Sequence, residues 1–188
     1  WLKVYDLPEL PRTARGKSLA ALEIPSEDPI TSVFPVRIFD QGYLVLATER
    51  GIVKKTELAA FGNPKRGGII AISLEEGDTL IGVAITRGQN EIVLGTEKGL
   101  SIRFPETQLR PMGRPAYGVS GIRLTGGDRV VGMLLVDPKA TILTVCEKGY
   151  GKRTGFDAYR RQSRGGKGRI GMATRSEDVV EHLMEVGQ

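Results

Sequence analysis

A repeat with a period of 48 to 50 residues runs through this 188-residue chain, and it limits what the chain can fold into. Thr48-Glu49-Arg50-Gly51-Ile52-Val53-Lys54-Lys55 aligns without gaps on Thr96-Glu97-Lys98-Gly99-Leu100-Ser101-Ile102-Arg103. It aligns equally on Cys146-Glu147-Lys148-Gly149-Tyr150-Gly151-Lys152-Arg153. Four residues after each glycine stands a base: Lys55, Arg103, Arg153. Ten residues after it stands a large apolar or aromatic group (Phe61, Leu109, Tyr159), and fifteen after it an arginine (Arg66, Arg114, Arg164). A second anchor confirms the period. Gly77-Asp78 with Ile81-Gly82 matches Gly127-Asp128 with Val131-Gly132, each 22 residues before the next glycine anchor. The anchors disagree only by a two-residue insertion near Tyr117-Gly118.

Each unit reads as β. Residues 43–48, 91–96 and 141–146 are short apolar or β-branched runs of one strand's length. Each ends at an acid, a base and a glycine, where glycine supplies the positive φ of a tight hairpin. A second strand follows, then a polar, Gly-rich loop (63–68, 111–118, 160–168). A third strand is expected over 69–74, 119–124 and 169–172, then a Gly-Asp turn, then a fourth over 79–86 and 130–136. Four strands in such a period mark a propeller-like blade. The fold class is all-β, a single partial set of blades: residues 1–25 end one blade, 26–175 hold three repeats, and 176–188 start the next or form a tail. Only 178–186 hints at a helical period.

The positive charge follows the repeat. Lys and Arg number 27 against 22 Asp and Glu, a net +5, which by itself decides little. Its placement says more. Arg12, Arg15 and Lys17 surround Gly16, Lys65 and Arg66 occupy the next loop, and Arg110 and Arg114 the one after. The last loop is densest, with Arg160, Arg161, Arg164, Lys167 and Arg169 and no acid between Asp157 and Glu177. With Lys54, Lys55, Arg103, Lys152 and Arg153 in the strands, these bases are expected to line one rim facing the phosphates of a nucleic acid. Flanking glycines let backbone N–H groups approach phosphate too. No helix or ribbon is placed for base readout, and aromatics at 6% form no stacking platform for single strands. Duplex binding with bending, largely independent of sequence, is the expectation.

Other chemistry is poorly served. One Cys and one His exclude an internal disulfide and a Cys/His zinc site. Cys146 lies within an apolar strand and reads as core, and His182 reads as a surface residue. Gly166-Lys167-Gly168-Arg169-Ile170-Gly171 fits a dinucleotide pattern, but no βαβ unit surrounds it, and no Ser or Thr follows Lys167 as a phosphate-binding loop requires. Glu49, Glu97 and Glu147 sit at hairpin tips beside bases, as turn residues rather than a carboxylate set. No metal and no cofactor is expected in this chain. No leader is expected and no apolar run reaches membrane length, so a cytoplasmic protein is expected.

Gln162-Ser163-Arg164-Gly165-Gly166-Lys167-Gly168 resembles the signature box of the gyrase A C-terminal-domain family, Gln-Arg-Arg-Gly-Gly-Lys-Gly, with Ser163 as the one departure. Residues 149–154, 102–106, 112–114, and 2–5 with 12–16 are similar to the same family, in the family's order. The resemblance implies a β-pinwheel, whose blades exchange strands with neighbours and whose basic perimeter wraps double-stranded DNA. It implies an accessory role in a type II topoisomerase that introduces negative supercoils with ATP and Mg bound elsewhere in the holoenzyme. The implied partners are the rest of the gyrase A protein and the gyrase B protein, in an A2B2 assembly near the nucleoid. No tyrosine here is implied in cleavage. The alternatives are the related domain of topoisomerase IV, which binds DNA without the same wrap, and a protein-interaction propeller.

Overall fold

The computed structural model describes residues 3–15, 30–63, 65, 67–174 and 178–187. Its strands are β1 (Tyr43–Thr48), β2 (Ile52–Glu57), β3 (Leu80–Thr86), β4 (Glu91–Thr96), β5 (Leu100–Pro105), β6 (Val119–Ser120), β7 (Val130–Leu135), β8 (Thr141–Cys146), β9 (Gly151–Gly155), β10 (Arg169–Ile170) and β11 (Val180–Val186). They form three antiparallel sheets, ordered β3-β1-β2-β6, β7-β4-β5-β10 and β11-β8-β9. No helix among the described residues is long and apolar enough to cross a membrane.

β1 and β4 are buried along nearly their whole length, which is why they read as unbroken apolar runs. β8 alternates instead, buried at every second residue. The hairpin after each first strand closes on Gly51, Gly99 and Gly149, with φ of 79°, 79° and 81°. Such a conformation is costly for any residue with a Cβ. The Gly-Asp anchor is explained as well. Asp78, Asp128 and Asp178 each accept a hydrogen bond at Oδ1 from the hairpin amide of Arg50, Lys98 or Lys148, at 3.0, 3.0 and 3.1 Å. The aspartate thus caps a turn formed some 30 residues earlier.

The third strand of each repeat leaves its own sheet. β6 pairs with β2 of the preceding repeat (Ile52↔Ser120, Val53↔Val119), and β10 pairs with β5 (Leu100↔Ile170, Ser101↔Arg169). These strands are only two residues long, shorter than expected. The strand expected over 69–74 is not formed; no second strand of an earlier repeat lies beside it among the described residues, and Ile70 stays 68% exposed. A strand without a partner has no ladder to hold it. Residues 178–187 also differ from expectation. Val180–Val186 is a strand paired along β8, not a helical tail, and it completes the third sheet.

The cores lie within and between sheets. Val45, Ala47 and Val53 of the first sheet pack with Ile92, Leu94, Ile102, Phe104 and Leu109 of the second repeat. Val93 packs with Ile142, Phe156 and Tyr159 of the third. Phe61, Leu109 and Tyr159, the recurring large residues, are all buried. They follow or close short 3-10 turns at Leu58–Phe61, Glu106–Gln108 and Phe156–Ala158. Fourth strands of adjacent sheets come close: a Cβ on Gly82 would lie 2.9 Å from the Met133 Cβ, and one on Gly132 would lie 3.3 Å from that of Leu183. The equivalent third position is His182, exposed on β11, where no following strand crowds it among the described residues.

Candidate nucleic-acid interface

The base that recurs four residues after each glycine has a structural cause. Lys55 is 4% exposed; its ammonium lies 4.5 Å from the centre of the Tyr43 ring and 3.6 Å from Glu106 Oε1, and it donates to the Glu106 carbonyl. Arg103 forms a two-pronged ion pair with Glu91 at 2.5 and 2.6 Å and donates to the Phe156 carbonyl. Arg153 donates to Thr141 Oγ1 at 2.7 Å and to the Gly187 carbonyl. Tyr43, Glu91 and Thr141 each open the first strand of their own repeat. Glu106 and Phe156 each open the 3-10 turn of the next one. Lys55 and Arg103 therefore staple successive repeats together and are not free to face DNA.

Lys54, also expected on the rim, is fully buried. Its ammonium donates to the carbonyls of Ala71 (2.7 Å) and Arg114, with no acid beside it among the described residues. Burial, with the nearby Arg114 charge, lowers its pKa from 10.5 to about 8. Glu106, equally buried, accepts from Thr86 Oγ1 at 2.5 Å and from the Asn90 amide at 3.0 Å, so both carboxylate oxygens are satisfied. Lys54, Lys55 and Arg103 are withdrawn from the expected rim for one reason: these strand positions face neighbouring sheets, and a base there must find partners inside.

The arginine fifteen residues after each glycine is shared between scaffold and surface. Arg66 lies outside the described residues, as do Gly16 and Lys17. Arg114 and Arg164 are half-buried. Arg114 Nη1 donates to the Ile70 carbonyl at 3.5 Å and Arg164 Nη1 to the Ser120 carbonyl at 2.5 Å, equivalent positions of the preceding repeat. The Arg164 Nε–H is buried without a partner among the described residues. The box loop is pinned along its length. Gln162 N donates to the Arg103 carbonyl (2.7 Å), Arg164 N to Gln108 Oε1 (2.7 Å) and Gly165 N to the Gly121 carbonyl (2.7 Å). The Gly166 carbonyl accepts from Arg123 N at 2.8 Å. Ser163 and Lys167 remain exposed on this held loop and Arg169 on β10 just after it, and Gly165 and Gly168 take positive φ.

The remaining expected bases divide simply. Arg12, Arg15, Lys65, Arg110, Lys152, Arg153, Arg160 and Arg161 are exposed. Arg161 is engaged with Glu91 at 3.1 Å. Lys65, Arg110, Arg160 and Lys167 have no acidic partner among the described residues and lie in the same connection of three successive repeats. Sequence reading missed Arg123, exposed beside the box loop, because it fell inside the strand expected over 119–124, whereas β6 ends at Ser120. It also missed Arg129, which bridges Glu49 and Glu97 of two repeats at 3.0 and 2.8 Å. Hydrogen bonds from Thr79 and Arg129 hold Glu49 below the usual carboxylate range. The hairpin-tip acids Glu49 and Glu97 are thus used as turn and bridge residues. Cys146 is buried, and desolvation, with the Asp178 charge, raises its pKa.

A family model described as the DNA gyrase C-terminal domain, a beta-propeller, matches residues 1–37, 42–87, 90–137 and 140–186. The chain belongs to the DNA gyrase C-terminal domain family. Each of the last three matched stretches holds three strands of one sheet (β1, β2 and β3; β4, β5 and β7; β8, β9 and β11). The DNA gyrase A protein of Salmonella typhimurium is 45% identical over 172 residues, covering 90% of this chain and 20% of that protein. That of Haloquadratum walsbyi is 44% identical over 193 residues, covering 98% of the chain and 22% of that protein. The chain therefore spans about a fifth of these relatives. Among solved structures, a C-terminal domain of DNA topoisomerase IV superposes with a TM-score of 0.88 at 25% identity, over 97% of this chain and 58% of that one. A DNA gyrase A C-terminal domain gives 0.59 at 16% identity, over 98% of this chain and 77% of that one, which is a likeness of fold.

Proposed function

We propose that this chain binds duplex DNA without sequence preference and bends or wraps it, as the accessory domain of a gyrase that supercoils DNA negatively with ATP. The observation that carries this reading is the survival of Lys65, Arg110, Arg160 and Lys167 as exposed cations without an acidic partner among the described residues, in one connection of successive repeats. The strand bases Lys54, Lys55 and Arg103 are consumed by the scaffold, so the loops present most of the free charge. Cations carried in the same connection of successive repeats suit the repeating phosphates of a duplex backbone. The box loop adds glycine amides and Lys167 on a frame pinned by its neighbours. Sequence relatives named as gyrase A support a place beside the rest of that protein, the gyrase B protein and the nucleoid in the cytoplasm. ATP and Mg belong in this reading to the holoenzyme, and this chain needs neither.

A second reading rests on the TM-score of 0.88 against the topoisomerase IV domain: binding without a chiral wrap. One experiment separates the two. A nicked circle is bound by the chain, sealed with ligase and deproteinised, and its linking number is read. A shift supports wrapping, and an unchanged linking number with tight binding supports simple contact. Absence of duplex binding at low salt refutes both.

A further inference from the structure

The two interfaces between successive sheets use equivalent positions but fill them differently. In the first, those positions hold Val53, Ile102, Phe104, Met112 and Val119. The first three are fully buried in one apolar core, and Val119 packs against it. In the second, Ser101, Lys152, Thr154, Gln162 and Arg169 stand in their places. A cleft of about 450 Å³ opens there, lined by these five with Arg103 and Arg160 among others. That volume is in the range of small-ligand sites.

The cleft is chemically one-sided. No Asp or Glu lines it among the described residues. Arg103 is neutralised by Glu91, whereas Lys152, Arg160 and Arg169 have no acidic partner among the described residues. Three like charges around one opening repel each other, and a bound anion relieves this. The Thr154 hydroxyl is buried with no hydrogen-bond partner among the described residues, and Gln162 adds amide donors. A neighbouring interface shows that the same positions can pack apolar, so the polar set is a substitution in place of a core. Arginine and lysine with hydroxyl and amide donors match a multiply charged oxyanion better than a lone carboxylate.

We propose that this cleft binds a phosphate-class anion carrying two or more negative charges, with Lys152 and Arg169 as its principal ligands. The phosphate belongs either to a free polyphosphate or to a nucleic-acid backbone, and the site does not depend on the DNA reading above. The test is titration calorimetry of pyrophosphate into the whole chain at low chloride. Saturable one-to-one binding is expected. Lys152→Gln with Arg169→Gln, both at exposed positions, weakens it about tenfold or more, because two charge-assisted contacts are lost. Ser101→Val with Thr154→Phe restores the packing of the first interface and abolishes binding while circular dichroism stays unchanged. If that pair misfolds, the exposed Lys152/Arg169 variant alone decides. Lack of saturable heat at millimolar pyrophosphate, or an unaltered affinity in the Lys152/Arg169 variant, overturns the proposal. A prebound short duplex that blocks pyrophosphate assigns the phosphate to the DNA backbone; simultaneous binding assigns it to a free anion. Both outcomes uphold the cleft. Pyrophosphate binding with no duplex binding at all upholds the cleft and refutes the DNA reading.

Discussion

Replacing Lys54 by methionine converts a buried titration into a measurable change of stability with pH. The ammonium has only two backbone carbonyls as partners among the described residues, and its pKa falls from 10.5 to about 8 on folding. Between those values the unfolded chain binds more protons than the folded one, so stability rises with pH across that window. Below about pH 8 both states are protonated and the burial penalty is fully present. At about 1.4 kcal/mol per pH unit, the whole fall corresponds to about 3 kcal/mol, of which about 2 to 3 is recovered between pH 7 and 10. The methionine variant keeps the bulk of the side chain and lacks the titrating group. Urea unfolding of both proteins at about pH 7, 8, 9 and 10 isolates the effect, because every other group titrates alike in the two. The stability of the native chain relative to the variant is expected to climb by that amount over the series. A flat difference would refute the assignment of a depressed pKa to Lys54, and a difference that falls with pH would reverse its sign.

Further outcomes follow from the same geometry. Glu106→Ala strands Lys55 in the core and is expected to cost about 3–5 kcal/mol by chemical denaturation. Lys55→Met with Glu106→Leu should recover most of that loss, since Leu58 and Phe156 hold the position of Glu106 in the other repeats. Gly99→Ala and Gly149→Ala face the same positive φ, but only the former brings a Cβ to 2.0 Å from the Met172 carbonyl oxygen. Gly149→Ala should cost about 1 kcal/mol, and Gly99→Ala distinctly more; equal losses of thermal stability would show that the third-strand contact is slack. Arg110→Ala with Lys167→Ala should leave stability within about 0.5 kcal/mol. The same pair should lower the salt-dependence slope of duplex binding by about 2.

Much of the architecture was legible because a repeat constrains every copy at once. First strands at 43–48, 91–96 and 141–146 coincide with β1, β4 and β8. The third strands were not legible at their true length, because two residues pairing with a preceding repeat carry almost no periodic signal. Val180–Val186 was obscured by Glu181, His182 and Glu185, polar residues exposed on that strand, which break the apolar pattern. Asp178 was the available clue, since it repeats Asp78 and Asp128 and caps the same turn.

The chain's own order of residues determined the period, the hairpin glycines, the all-β class and the loops that present bases. Tertiary structure alone decided what each base does. Lys54, Ile102 and Lys152 occupy one position in three repeats. The first is a buried lysine held by carbonyls, the second is core, and the third lines an open cleft. A linear repeat records that a charge recurs. Whether it meets water, a carboxylate or a neighbouring strand's carbonyl depends on which sheet is packed against it, and that is settled only when the sheets stack.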